Sequence, residues 1–175
     1  MLALFAPNSI DTPVVTWGAL WAGGRVSPTN PVYTAKELAF HLTDSGAKAI
    51  VTHVSVLPVA KAAARKAGIP EDRILILGDH YDPDHKIRHF SSIQKSIETA
   101  TSRPSVREPS RTCAFIVYSS GTTGPPKGVS LSHRNIVSNI LQASAGEGGN
   151  LTWNGGIDGK GDYVLGVVPL CHIYG

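Results

Sequence analysis

Residues 48–77, KAIVTHVSVLPVAKAAARKAGIPEDRILIL, hold the pattern that decides the fold. Residues 48–52 read as a short β-branched strand. Residues 56–67, rich in alanine and lysine, carry a helix that stops at Gly68. Residues 73–77 return to an apolar strand. Strand, helix and strand in immediate succession predict an α/β layer with parallel strands. Crossovers in such a sheet are right-handed.

Working outward toward the N-terminus, Thr34-Ala-Lys-Glu37 spells a capping box. The Thr34 side chain can accept from the backbone three residues on, and Glu37 can reach back. Leu38 and Leu42 follow at helical spacing, and Gly46 stops the helix. Before it, residues 25–27 are extended and run into Pro28. Earlier still, Asp11 is placed to cap a helix whose first turn holds Pro13, where proline is tolerated. Val14, Trp17, Leu20 and Trp21 share one face of that helix, and Gly23-Gly24 end it. Trp17 and Trp21, four residues apart, read as core or partner-facing side chains. Residues 1–10 are apolar but lack a basic n-region and meet Pro7 and Asn8 quickly. They make neither a signal peptide nor a membrane span, and no later segment is apolar for long enough to cross a bilayer.

Toward the C-terminus the pattern loosens over residues 78–111. Residues 80–89 are polar and turn-rich. His80, Asp82, Asp84, His85 and His89 crowd together there, but their spacing matches no metal motif, and they read as a solvated loop. Residues 92–99 suggest a short helix, and residues 102–110 a surface connection. Order returns at Thr112. Residues 113–118 form a continuous apolar strand expected to be buried on both faces. Residues 128–131 can pair as the next strand. Ser132 caps a helix with an apolar stripe of Ile136, Val137, Ile140 and Leu141, closed by Gly146. A glycine-rich loop fills residues 148–161, a buried strand residues 163–168, and residues 169–175 leave its end. The chain thus divides into an α/β segment (1–77), an irregular connection (78–111) and a final segment (112–175) that holds the chemistry.

Composition bounds the function. A chain of 175 residues, 42% hydrophobic and 17% charged, can bury one real core as a globular domain. The net charge of +3 is not gathered into a basic stripe with interleaved aromatics, so nucleic acid is not an expected partner, whereas an acidic ligand is compatible. Cys113 and Cys171 form no CxxC and no zinc spacing, which favours a reducing compartment.

The string that carries chemistry is Tyr118-Ser-Ser-Gly-Thr-Thr-Gly-Pro-Pro-Lys-Gly-Val129. It follows a strand directly. Hydroxyls stand at Ser119, Ser120, Thr122 and Thr123. Gly121 and Gly124 allow close backbone approach to a ligand. Successive free N–H groups make a concave anion site, and Lys127 adds a compact positive charge. The common phosphate loop, G-x-x-x-x-G-K-[ST], is not matched: counting from Gly121, Pro126 and Gly128 stand where a glycine and a hydroxyl are required. Pro125 and Pro126 have no N–H to donate. No G-x-G-x-x-G follows a strand.

This string resembles the signature of the adenylate-forming (AMP-binding) superfamily, which includes acyl- and aryl-CoA synthetases, luciferases and peptide-synthetase adenylation domains. A second string, Leu165-Gly-Val-Val-Pro-Leu-Cys-His-Ile-Tyr-Gly175, is similar to the superfamily segment that closes on a histidine turn. Ala6-Pro-Asn-Ser9, Ala22-Gly-Gly24, Asn30-Pro-Val-Tyr-Thr34 and Asp44-Ser-Gly-Ala-Lys48 resemble 4-coumarate–CoA ligases and related acyl-CoA synthetases. The resemblance implies the layered, parallel-rich α/β sheet of that family's large N-terminal domain, and an ATP-dependent carboxylic acid–CoA ligase acting through an acyl-adenylate. Ser119, Ser120, Gly121, Thr122, Thr123 and Gly124 are implied to line the β- and γ-phosphates of ATP. Lys127, with Thr123, is implied to act on the leaving pyrophosphate. His172 and Tyr174 are implied to border the acyl pocket. Cys171 stands where relatives often carry an aromatic. It is no nucleophile for His172, because neighbours on an extended chain point to opposite faces.

ATP, Mg²⁺ and CoA are the implied cofactors and co-substrates, and a small carboxylic acid the implied partner. No residue here matches a family metal ligand. The acid is expected to be of aryl or hydroxycinnamoyl type, with fatty acids open, and the location cytoplasmic, with a peroxisomal address open. Complete relatives run to several hundred residues and carry an acidic magnesium motif and a C-terminal domain with its lysine. This chain is therefore expected to be a partial N-terminal domain that makes no acyl-CoA alone. Two other readings compete: a non-catalytic nucleotide- or partner-binding piece of the same family, and a phosphate-loop NTPase, which Pro125, Pro126 and Gly128 oppose.

Overall fold

The computed structural model describes residues 1–96, 106, 108–119, 125–146, 166 and 168–172. Its strands are β1 (Leu2–Phe5), β2 (Val26–Thr29), β3 (Ala49–His53), β4 (Ile74–Leu77), β5 (Arg88–His89), β6 (Cys113–Ser119) and β7 (Lys127–Ser132). Its helices are α1 (Asp11–Trp21), α2 (Ala35–Asp44), α3 (Leu57–Ala67) and α4 (His133–Gly146). Among the described residues the strands form one seven-stranded sheet in the order β5-β4-β3-β1-β2-β6-β7. All neighbours are parallel except β6 and β7, which form an antiparallel pair at one edge. The parallel α/β reading of residues 48–77 therefore holds: Ile50 stands opposite Ile74, and His53 opposite Leu77.

The centre of the sheet is β1. The opening apolar run, read from sequence only as neither leader nor span, pairs Leu2 with both Val26 and Ala49. A strand covered on both faces has no polar alternation to announce it. Both sides of β1 are buried. Ala3 and Phe5 join Ile50, Ile74 and Ile76 under Leu38 and Leu42 of α2 and Ala60, Ala63 and Ala64 of α3. Leu4 joins Val26, Val51 and Leu77 on the other face, with Val15 of α1 and Phe90. The period of two along each strand divides the core into these two layers.

Helix boundaries follow local chemistry with one exception. Thr34 Oγ1 accepts from Glu37 N, and Glu37 Oε2 accepts from Thr34 N at 2.8 Å, so the capping box forms as read. These Thr34 bonds hold the Glu37 carboxyl below the usual range. α3 ends at Gly68, whose φ of 69° an L side chain rarely adopts. The exception is α1. Asp11 is its first residue and not its cap; Ile10 is the cap and makes no side-chain bond. The Asp11 carboxylate instead accepts from Gly78 N at 2.9 Å, tying the start of α1 to the end of β4. Val15 and Thr12 face inward, so Val14, Trp17 and Trp21 stand about half exposed. Trp17 and Trp21 are therefore not core residues.

The polar segment after β4 is more built than a solvated loop. Asp82 is buried, and its carboxylate accepts from Lys86 N at 3.0 Å and Ile87 N at 2.9 Å. His89 Nε2–H donates to Gly78 O at 2.8 Å. The loop is thus folded around a carboxylate, and it delivers β5 to the sheet edge. Among the described residues no group of three or more His, Cys, Asp or Glu could hold a metal. Where a helix is expected over residues 92–99, the described part holds a 3₁₀ turn over Phe90–Ile93 with Gln94 extended, and residues 97–99 lie outside the described residues.

The far end of the sheet departs from expectation. β6 is not buried on both faces; only Ala114 is fully covered. α4 starts as read, with Ser132 Oγ accepting from Asn135 N at 3.2 Å and Asn135 Oδ1 accepting from Ser132 N at 3.0 Å. Its apolar stripe buries nothing among the described residues: Val137, Ile140 and Leu141 are exposed. The strand expected over residues 163–168 lies outside the described residues apart from Gly166 and Val168. Among the described residues no helix is long and apolar enough to cross a membrane.

Candidate functional site

The hydroxyl- and glycine-rich string spans the turn between β6 and β7. Ser120, Gly121, Thr122, Thr123 and Gly124 lie outside the described residues. The two ends of the turn are described. Ser119 and Lys127 face each other in the antiparallel register, and Tyr118 faces Gly128. Directly opposed residues have side chains about 5 Å apart. Both Ser119 and Lys127 are exposed. Because β6 runs parallel to β2, Ser119 leaves the sheet at the carboxyl ends of the parallel strands, where open α/β sheets place their ligands.

One residue before Ser119, the Tyr118 side chain ties the hairpin to the scaffold. Its ring lies over Gly128: a Cβ there would stand 3.1 Å from Tyr118 Cζ and 3.1 Å from Ile116 Cγ2. A side chain at 128 would therefore crowd Tyr118 and Ile116 by a few tenths of an ångström. The Tyr118 hydroxyl donates to Asp44 Oδ2 at 2.5 Å, at the C-terminus of α2. Burial, and then Asp44, push the phenol above its usual range.

The Tyr118 ring also packs against His41, tilted by 37° with 4.1 Å between centroids, and His41 is 2% exposed. His41 Nε2 sits 2.8 Å from Ser27 Oγ and 3.0 Å from Thr29 Oγ1, both on β2. The tautomer follows from the partners. Ser27 Oγ–H donates to Ile116 O at 2.8 Å, and Thr29 Oγ1–H donates to Ser27 O at 3.3 Å. With both hydroxyl protons engaged, Nε2 carries the His41 hydrogen and donates it. Nδ1 is the bare acceptor, buried and without a partner among the described residues. Burial pushes the His41 pKa down to about 4, against the opposing pull of Asp44. The imidazole is thus neutral near pH 7.

Beside this network lies an open cleft of about 480 Å³ between α2 and the base of the hairpin. Tyr33, Phe40, Tyr118, Pro125 and Pro126 wall it, and Lys36 stands among them. The Tyr33 phenol is raised by burial first, and then by Glu37 and Cys171.

The histidine turn is held elsewhere on the same sheet edge. Asn8, just past β1, clamps it with both ends of its amide: Nδ2 donates to Val168 O at 3.0 Å and Oδ1 accepts from Leu170 N at 2.8 Å. His172 N closes the turn on Pro169 O at 2.9 Å, and the His172 side chain is exposed. Cys171 is half-buried against Leu4, Ala6 and Pro28, and burial raises its thiol. Tyr174 lies outside the described residues.

Ser119 and Lys127 are thus brought together, whereas His172 is pinned beyond β1. Sequence reasoning missed Asn8, His41 and Asp44 as parts of this architecture. His41 sits one residue before Leu42 on the buried face of α2, and a histidine on an apolar face was the available signal.

The protein-family model for "AMP-binding enzyme" matches residues 1–175. A long-chain-fatty-acid–CoA ligase of Bacillus subtilis is 32% identical over 99% of this chain and 33% of its own length. 4-Coumarate-CoA ligase 1 of Narcissus pseudonarcissus is 34% identical over 99% of this chain and 30% of its own. Among solved structures, ATP-bound MatB from Rhodopseudomonas palustris superposes with a TM-score of 0.63 at 30% identity, covering 82% of this chain and 27% of that one. The chain spans about a third of the length of the curated relatives it matches. A match along its whole length places this chain in the AMP-binding enzyme family.

Proposed function

We propose that this chain carries the ATP-phosphate loop of an ATP-dependent carboxylic acid–CoA ligase that works through an acyl-adenylate. The observation that carries the reading is the pairing of Ser119 with Lys127 at the mouth of Ser119-Ser-Gly-Thr-Thr-Gly-Pro-Pro-Lys127, on the carboxyl edge of the parallel strands. An exposed hydroxyl facing an exposed ammonium suits a phosphate oxygen. The CoA ligases and the ATP-bound structure among the relatives support the same assignment.

In this reading the acid's carboxylate oxygen attacks the α-phosphorus of ATP. The bond from that phosphorus to the bridging oxygen breaks, and the electron pair leaves with pyrophosphate. Lys127 and the hydroxyls of Ser119, Ser120, Thr122 and Thr123 stabilise the charge that builds there, as oriented donors do wherever charge develops in a transition state. The CoA thiol then displaces AMP from the acyl carbon. Magnesium would screen the phosphates; the described residues supply no ligand cluster for it, and no step here depends on one. His172 and Tyr174 are proposed to border the acid. An aryl or hydroxycinnamic acid is the preferred class, because the N-terminal motifs follow the 4-coumarate pattern.

The test is acid-dependent ATP–pyrophosphate exchange by the polypeptide of the complete reading frame, with hydroxycinnamic, benzoic and fatty acids as the panel. Exchange with one class is expected, and Lys127→Ala should lower it by about a hundredfold or more. A folded protein that exchanges with no acid sinks the ligase reading.

A further inference from the structure

From these contacts we infer that Tyr118, Asp44 and His41 are positioning residues that set the Ser119–Lys127 pair for ATP. The inference rests on the proposed phosphate role of that pair. It starts from the register. Tyr118 immediately precedes Ser119, and its cross-strand partner Gly128 immediately follows Lys127. Holding the Tyr118–Gly128 rung therefore holds the next rung, which is the mouth of the loop.

Two contacts hold that rung from outside the hairpin, and a third ties β6 close by. The Tyr118 hydroxyl is bonded to Asp44 at 2.5 Å. The Tyr118 ring packs in a tilted contact against His41, 4.1 Å between centroids. His41 is bonded in turn to Ser27 and Thr29, and Ser27 reaches across to Ile116 O on β6 itself. The hairpin needs such fastening. Among the described residues β6 is registered to β2 at one pair, Val26 with Phe115, and its other neighbour is the largely exposed strand β7. In the middle of the sheet β1–β2, β1–β3 and β3–β4 are each registered over four pairs, and β4–β5 at the opposite edge over two. The polar latch does at this edge what strand pairing and helix cover do at the other. Asp44 and His41 both lie on α2, so the loop mouth is referenced to the helix layer that covers β1, β3 and β4.

The experiment uses the polypeptide of the complete reading frame and two readouts: MgATP affinity by isothermal titration, and KM for ATP and for acid in pyrophosphate exchange. Tyr118→Phe and Asp44→Ala should each weaken ATP binding and raise KM for ATP about fivefold, with KM for acid unchanged. Asp44→Asn, which keeps an acceptor oxygen for the Tyr118 hydroxyl, should recover about half of that loss. Ile76→Ala, on β4 and outside the latch, is the control for simple destabilisation: it should lower the melting temperature and leave ATP affinity alone. Unchanged ATP affinity in Tyr118→Phe and Asp44→Ala overturns the inference. So does a rise of both KM values together with a fall in melting temperature equal to that of Ile76→Ala. If the wild type binds ATP but exchanges with no acid, the ligase reading fails, and the inference is still decided by the titrations. If the wild type binds no ATP at all, both fail.

Discussion

The two ends of one sheet differ in how they are held. At the β3–β4 end, Ile50, Ile74 and Ile76 lie under α2 and α3, whose Ala60, Ala63 and Ala64 are fully covered. At the β6–β7 end only Ala114 is fully buried, and α4 exposes Val137, Ile140 and Leu141. Strand composition does not explain this, since Ala-Phe-Ile-Val of β6 is as apolar as Ile-Leu-Ile-Leu of β4. Among the described residues the difference lies in how many layers cover each strand. The scaffold is rigid through burial, whereas the segment with the chemistry hangs on directional contacts from Tyr118, Asp44, His41 and Ser27.

The largest expected effect tests the buried end. Leu38→Ala opens a cavity under α2 and should cost about 3 kcal/mol in urea unfolding. A loss under about 1 kcal/mol would mean that the two ends do not differ in packing.

Acidification tests the seam between them. The His41 pKa is depressed in the fold to about 4 from an ordinary 6.5, so the unfolded chain takes up the proton first. Its contribution to stability is therefore complete above about pH 6.5 and is lost as pH falls from there toward 4. Between pH 7 and 5 the chain should lose about 2 kcal/mol on this account. His41→Gln should remove that part of the slope; an unaltered slope would show that His41 is not buried neutral.

Thr34→Ala removes the cap of α2 and should cost about 1 kcal/mol, read as a shift in urea midpoint. Smallest of all, Leu141→Ser on α4 should change stability by less than about 0.5 kcal/mol, because the side chain is already exposed. A loss comparable to Leu38→Ala would show that α4 is packed against something in solution, and would erase the contrast between the ends.

The same contrast explains which features were legible. α2, α3, β3 and β4 could be read because caps, stops and strand signals coincide there, as at Thr34, Gly46 and Gly68. β1 could not, because an apolar run such as Leu2–Phe5 carries no internal sign that strands flank it on both sides. Asp11 has the right type for a cap, yet its carboxylate is taken by Gly78, distant in sequence. The stripes on α1 and α4 have helical period, but period alone does not say what, if anything, covers a face. At the site, Ser119 and Lys127 were legible as a motif, whereas the strings that hold Asn8 and Asp44 matched the family without saying what those side chains bond.

The chain alone determined its repeated strand and helix signals, its helix ends at Thr34 and Gly68, and the hydroxyl-, glycine- and lysine-bearing string that marks its family. All of these are set by neighbours a few residues apart, through φ/ψ preference, capping and spacing. Only the tertiary structure decided that the first strand is the central one, and that Tyr118 lies across Gly128. The same holds for the neutral His41 that joins β2 to the hairpin. Those outcomes depend on groups brought together from distant parts of the chain, and on the water excluded when they meet.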